Sequence, residues 1–371
     1  MINIYQPNIT KYQNSAIAAI KSGWISNHGE YIQKSTDLLE KIVGVKHAIL
    51  MSNGTCATHC LFLALKWKHP EINKIYIPNN VYVAAWNAAL MCYSPNQMQV
   101  MKMDLATWNI DTSDEIITNL EPNSAILIVH NLGNIINVNR IKQLRPDLIL
   151  LEDNCEGFSG QYNNQMTGSS EAVLASSLSF YGNKIITSGE GGAFLTNNTD
   201  VYEYIKKIYS QGMSNIRYLH ELHAYNYRMT NVQAALLYDQ LLDYSTIMNQ
   251  KATIFENYRN LLQPLIKSGK INIFQSENKT VAANWIFGVR LVNNQKTISD
   301  LNDFFTKYQI EIRPFFYPID KHHHLTKHFQ STDPIAEKLH QEIIMIPSSP
   351  EITINQQQYI VNCLDILTSN N

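Results

Sequence analysis

The chain has no long tract of consecutive basic residues, no Cys-X-X-Cys pair and no apolar run of the about 18–20 residues that a membrane-spanning helix requires. Its charge is almost balanced, 29 Lys plus Arg against 31 Asp plus Glu. Recognition of nucleic acid or an anionic membrane through a basic surface therefore lacks its usual electrostatic basis. The opening residues, MINIYQPNITKYQ, lack the basic flank and apolar core of a secretory signal. The five cysteines, Cys56, Cys60, Cys92, Cys155 and Cys363, are an odd number and read as free thiols in a reducing compartment. Cys56 and Cys60 lie one helical turn apart, but no companion ligand pair accompanies them. A soluble, cytoplasmic protein is the expectation.

What is present is enough apolar material for a large core, 45% of 371 residues, and a length that suggests two or three domains. Apolar positions over 32–42 follow helical spacing and stop at Gly44. An apolar strand at 48–51 is followed by the turn Ser52-Asn-Gly-Thr55 and a helix over 56–67. Strand, turn and helix recur at 75–77, 78–80 and 83–92, with further strands at 125–129 and 148–151. This alternation predicts an α/β fold with a mostly parallel central sheet flanked by helices. A long helical region is expected over 229–262, then strands at 285–292 and 310–317 and helices at 331–341 and 356–367. Residues 1–245 read as a large domain and 246–371 as a smaller C-terminal α/β domain. No linker-like tract separates them, so the two parts should pack together.

Three segments carry chemistry. Ser179-Phe-Tyr-Gly-Asn-Lys184 runs into Ile-Ile-Thr-Ser-Gly-Glu-Gly-Gly192, where glycines let a flat cofactor approach the lysine. An isolated lysine beside such a turn would otherwise be a solvated surface charge. Gly54 and Thr55 stand where a strand gives way to a helix, so their N–H groups suit a phosphate; the same residues also suit a plain helix cap. Asp153 follows the apolar strand within Glu152-Asp153-Asn-Cys-Glu156, at a strand end where α/β sheets place ligand groups. An acidic turn cap is the alternative there.

Together these strings, in this order and from Gly23 to about Leu367, resemble the DegT/DnrJ/EryC1/StrS family of sugar aminotransferases that use pyridoxal 5′-phosphate (PLP). The resemblance implies a fold type I, aspartate aminotransferase-like enzyme in which PLP cycles through pyridoxamine phosphate (PMP). It makes Lys184 the catalytic Schiff-base lysine. Gly54, Thr55 and Ser179 then cup the phosphate, Asp153 partners the ring nitrogen, and Glu156 lies beside the ring hydroxyl. Tyr82, in Pro78-Asn-Asn-Val-Tyr82, matches the aromatic that stacks on the ring, with Trp86 a second aromatic nearby. Asn226 matches an asparagine that reaches the phosphate of the neighbouring subunit, which implies a homodimer with shared active sites.

On the substrate side, Arg313, Tyr317, His322 and His323 fall in a segment resembling the family's sugar-nucleotide contacts. An arginine suits a diphosphate because it donates two parallel hydrogen bonds. Asn284-Trp-Ile-Phe287 and Met345-Ile-Pro-Ser-Ser-Pro350 point to the perosamine and viosamine synthase branch. Its members aminate the 4-position of nucleotide-linked 4-keto-6-deoxyhexoses, with L-glutamate the implied donor. Asn137 and Asn139 stand where relatives often carry an acid, which leaves the role of that loop open. Two rivals remain. A sugar 3-dehydratase shares the fold but has His in place of the lysine, and a catalytically idle PLP-binding homologue would not need the whole set.

Overall fold

The computed structural model of the protein describes residues 1–369. Its nine strands up to residue 196 are β1 (His47–Met51), β2 (Ile75–Pro78), β3 (Met98–Met101), β4 (Ala125–Val129), β5 (Ile149–Asp153), β6 (Gln161–Tyr162), β7 (Gln165–Met166), β8 (Val173–Ser179) and β9 (Gly192–Thr196). Seven of them form the main sheet in the order β1-β9-β8-β5-β4-β2-β3. Only β9 runs against the others. The connection 180–191 contains no crossover helix, so the chain returns antiparallel, whereas parallel neighbours need a long crossover.

Alternation along a strand divides the core into two layers. In β4, Ile126 and Ile128 pack on one face of the sheet with Leu150 of β5 and Leu178 of β8. Ala125, Leu127 and Val129 join the other face with Ile75, Ile77 and Phe62. Period two in side-chain direction, with helices on both faces, produces this double burial. The helix Glu30–Val43 buries Tyr31, Ser35, Leu39 and Val43, each four residues from the last. It ends at Gly44, whose φ of 78° lets the backbone turn left-handed.

A second sheet uses β10 (Ile271–Asn272), β12 (Phe287–Leu291), β13 (Arg313–Pro314) and β14 (Ile343–Ile346), in the order β10-β12-β14-β13; β11 (Thr280–Val281) instead pairs with β6. Trp285, Phe315 and Met345 from this region share one core cluster with Ile126 and Leu150 of the main sheet. The N-terminus also reaches it, since Ile2 bridges Ile310.

Three expectations change in detail. The helical region over 229–262 is two helices, Asn231–Leu242 and Tyr244–Leu261, broken at Asp243, whose carboxylate accepts from Lys11 Nζ and Tyr12 Oη, both at 2.7 Å. The strand expected over 310–317 contracts to Arg313–Pro314, because Pro314 and Pro318 cannot donate to a ladder. Strands β8 and β9 have no counterpart in the sequence reading. Among the described residues no helix is long and apolar enough to cross a membrane.

Candidate active site

Because β1, β2, β4, β5 and β8 are parallel, their C-terminal ends open on one edge of the main sheet, the usual ligand position in such folds. Residues just past those ends line a cleft of about 1030 Å³, closed from the opposite side by Trp285, Arg313–Pro314 and the residues up to Tyr317. Gly54, Thr55, Tyr82, Asp153, Glu156, Ser179 and Lys184 all line it.

Lys184 is held on three sides. Its Nζ lies 4.0 Å from Glu156 Oε1 and 3.8 Å from the centroid of the Trp285 ring. A desolvated cation over an indole face gains up to about 2 kcal/mol. Its carbonyl accepts from Tyr5 Oη at 2.7 Å, and Trp285 Nε1 donates to the preceding carbonyl, that of Asn183, at 2.9 Å. Burial pushes the Glu156 carboxyl up to about 7, despite the opposing pull of Lys184 and a 2.9 Å hydrogen bond from the Leu132 N–H. Desolvation thus outweighs the nearby cation.

Asp153 ends β5, buried, with Oδ1 accepting from the Cys155 N–H at 3.1 Å. Its Oδ2 accepts from the Thr58 hydroxyl at a long 3.5 Å, and the carboxylate lines the cleft, with acceptor capacity left for a ligand. Gly54 begins the helix Gly54–Lys68, capped by Asn53, whose side chain accepts from the Cys56 N–H. The first N–H groups of a helix have no intrahelical acceptor. A Cβ on Gly54 would lie 2.7 Å from Ser179 Cβ and 3.0 Å from its Oγ, so only glycine lets this helix start sit against Ser179.

On the open side, Tyr82 is 62% exposed with its ring 6.5 Å from that of Phe316. Trp86 is wholly buried and donates Nε1 to the Pro78 carbonyl, so of the two aromatics Tyr82 is the one at the cleft. Arg313 faces the cleft while donating to Glu311 Oε1 at 3.1 and 3.3 Å. Tyr317 packs on His340 at 3.7 Å between ring centroids, and His322 sits edge-on to Trp86. His322 Nε2 is buried without a hydrogen-bond partner among the described residues, and burial lowers its pKa.

One residue expected in this cleft lies elsewhere. His323 is exposed and outside the cleft, because successive residues of this turn diverge: His322 enters the cleft and His324 Nε2 meets Asn87 Oδ1 at 3.0 Å. Asn226 is exposed and does not line the cleft of its own chain. Tyr225 and Tyr227 stack with centroids 4.9 Å apart, and Tyr227 lines the cleft, so alternation turns Asn226 away. Asn137 caps the helix Val138–Leu144, and Asn139 accepts from the Ser170 hydroxyl at 2.5 Å, so neither reaches the cleft.

Residues 8–365 match the DegT/DnrJ/EryC1/StrS aminotransferase family. The chain belongs to this family. It is 31% identical over 370 residues to GDP-perosamine synthase of Escherichia coli O157:H7, covering 98% of each chain. It is 30% identical over 375 residues to the GDP-perosamine synthase of Vibrio cholerae, again covering 98% of each. The fold matches E. coli GDP-4-keto-6-deoxy-D-mannose-3-dehydratase, solved with bound hydrated PLP, with a TM-score of 0.87, 20% identity and coverage of 98% and 99%. It also matches a DegT/DnrJ/EryC1/StrS aminotransferase from Brucella abortus, with a TM-score of 0.83, 18% identity and coverage of 97% and 95%. The architecture is that of a fold type I PLP-dependent aminotransferase.

The cleft of this DegT/DnrJ/EryC1/StrS chain fits PLP. A helix start with N–H donors, a buried carboxylate at Asp153 and a largely buried amine at Lys184 are the kinds of group that a phosphate, a pyridine nitrogen and an aldehyde require. Sequence reasoning missed the inner wall. His59 Nδ1 lies 3.0 Å from Tyr227 Oη, and burial pushes its pKa down to about 4. Thr58, which ties Asp153 to Ser177, was equally hidden. Both stand one turn into the helix after Gly54, so helical spacing from the glycine turn was the available signal.

Proposed function

We propose that the protein is a PLP-dependent aminotransferase that converts a nucleotide-linked 4-keto-6-deoxyhexose to its 4-amino sugar, with L-glutamate as donor. The observation that carries this reading is Lys184 Nζ held 4.0 Å from Glu156 in the cleft that Asp153 and the Gly54 helix start also line. Two GDP-perosamine synthases at 30–31% identity along the full length favour a GDP-linked, perosamine-type product. Bound PLP supplies an electron sink for the bond cleavage at the donor's α-carbon.

The chain's own residues do the rest. Lys184 anchors the cofactor covalently and, once freed, moves a proton between the donor α-carbon and the cofactor carbon. Asp153 keeps the ring nitrogen protonated by accepting its hydrogen bond. Gly54, Thr55 and Ser179 hold the phosphate, and Asn226 reaches it from the partner subunit in a homodimer. Glu156 stands beside the ring hydroxyl, and Tyr82 covers the ring face. Arg313, with Tyr317 and His322, receives the sugar nucleotide, which requires the guanidinium to exchange Glu311 for diphosphate oxygens. His323, exposed outside the cleft, has no part in this arrangement. Residues 1–245 form the cofactor-binding domain and 246–371 the smaller one, of which 370–371 lie outside the described residues, in a cytoplasmic enzyme. A dehydratase would place His where this chain has Lys184.

The test is a product screen by mass spectrometry with PLP, L-glutamate and the GDP-, UDP- and dTDP-linked 4-keto-6-deoxy sugars. Formation of 2-oxoglutarate together with an aminated GDP sugar is the expected result. Loss of the 3-hydroxyl without amination would replace this reading with dehydration.

A further inference from the structure

Lys251, on the helix Tyr244–Leu261, is only 1% exposed, and among the described residues no carboxylate pairs with it. Its Nζ donates to the Trp285 carbonyl at 2.8 Å and to the Ser348 carbonyl. The rings of Phe255 and Tyr5 flank it at 5.1 and 5.7 Å. Burial lowers its pKa to about 7. An apolar side chain of similar size would avoid the desolvation cost, so the donors are the part that a hydrocarbon could not replace.

Those donors hold a junction directly behind Lys184. Trp285 O lies just before β12 and Ser348 O just after β14, while the Ser348 hydroxyl accepts from Phe287 N at 3.1 Å. From the same junction two side chains reach the lysine segment. The indole of Trp285 carries the Lys184 ammonium and bonds Asn183 O, and Tyr5 bonds Lys184 O. Lys251 therefore touches the backbone of one of Lys184's supports and the ring of the other.

The geometry points to Lys251 as a positioning residue for Lys184, acting through the backbone of Trp285. This rests on the reading of Lys184 as the cofactor anchor. When the amine is free, the indole face holds it near Glu156, and a Trp285 backbone released from Lys251 lets that face tilt away.

The test titrates PLP into unloaded protein and follows the visible absorbance, for wild type, Lys251→Met, Trp285→Phe and the double variant. Each single variant should bind PLP about tenfold more weakly, and the double should be no more than about twofold worse than Trp285→Phe. In the unloaded protein, acylation of Lys184 by an amine-reactive ester, read by peptide mass spectrometry against exposed Lys34, should quicken severalfold in Lys251→Met. Wild-type affinity and acylation in Lys251→Met, or fully additive losses in the double variant, would overturn the proposal and leave Lys251 a purely structural residue. If Lys251→Met has no cooperative thermal transition, Trp285→Phe decides, and unchanged PLP affinity there overturns it too. A wild-type chain that develops no absorbance with PLP would instead remove the anchor reading, and this role with it.

Discussion

The two nearest neighbours of the Lys184 ammonium act on it differently. The Trp285 face attracts the cation whatever the state of Glu156, whereas Glu156 attracts it only when ionised, and burial has raised that carboxyl from 4.5 to about 7. The sign of the consequence follows from linkage. The folded protein keeps a proton that the unfolded chain loses, so stability from this site is complete below pH 4.5 and falls as pH rises toward about 7. Thermal melts of unloaded Glu156→Gln across that interval should show a flatter pH dependence than wild type; parallel curves would mean that Glu156 is not buried as an acid. Lys184→Ala removes one cation–π contact, worth about 2 kcal/mol, and the 4.0 Å approach to Glu156, while the Tyr5 hydrogen bond to the residue 184 carbonyl remains, so the fold should persist. Visible absorbance with PLP and turnover should both vanish, and retention of near-wild-type turnover would reject Lys184 as the anchor.

At the scale of elements, the start of the helix Gly54–Lys68 is tightly packed against Ser179 in the cleft. Gly54→Ala would force a methyl to 2.7 Å from Ser179 Cβ, displacing either the helix start or the serine that the proposed phosphate site needs. PLP affinity should fall by at least about tenfold while melting changes far less, measured by equilibrium titration and calorimetry. A loss of stability without loss of affinity would make Gly54 a packing glycine only. Elements with clean periodicity were legible from sequence, as Glu30–Val43 shows with its four-residue spacing and glycine stop. Strand β8 was not, because its Ala175-Ser-Ser177 stretch has weak β propensity and is buried by its neighbours β5 and β9. Strand β9 was hidden for another reason: Ala193, Phe194 and Leu195 between Gly192 and Thr196 are too short an apolar run to declare a strand.

For the whole molecule, Asn226 tests the proposed homodimer. It faces away from its own cleft, near a segment that exposes Ile216, Tyr218 and Leu219, apolar side chains that a second copy would cover. Lys184→Ala and Asn226→Ala chains, each impaired as homodimers, should recover activity when mixed and allowed to exchange, up to about a quarter of wild type in an equimolar mixture, where about half the dimers are mixed. One site of the mixed dimer then carries both lesions and the other neither. No recovery after exchange verified by native mass spectrometry would exclude a shared site.

By itself the sequence determined the α/β class, the lysine segment, the strand-end Asp153 and the glycine turn at Gly54, because each rests on local periodicity or on a short contiguous string. Tertiary structure decided what those strings could not express. Tyr82 rather than Trp86 reaches the cleft because a helix turns the indole into the core, where its N–H finds Pro78 O. His322 and not His323 enters because neighbouring side chains in a turn diverge. Trp285 and Tyr5 converge on the Lys184 segment, with Lys251 bonded to the Trp285 carbonyl, from segments far apart in the chain, and such convergence exists only after the two sheets have packed around one core.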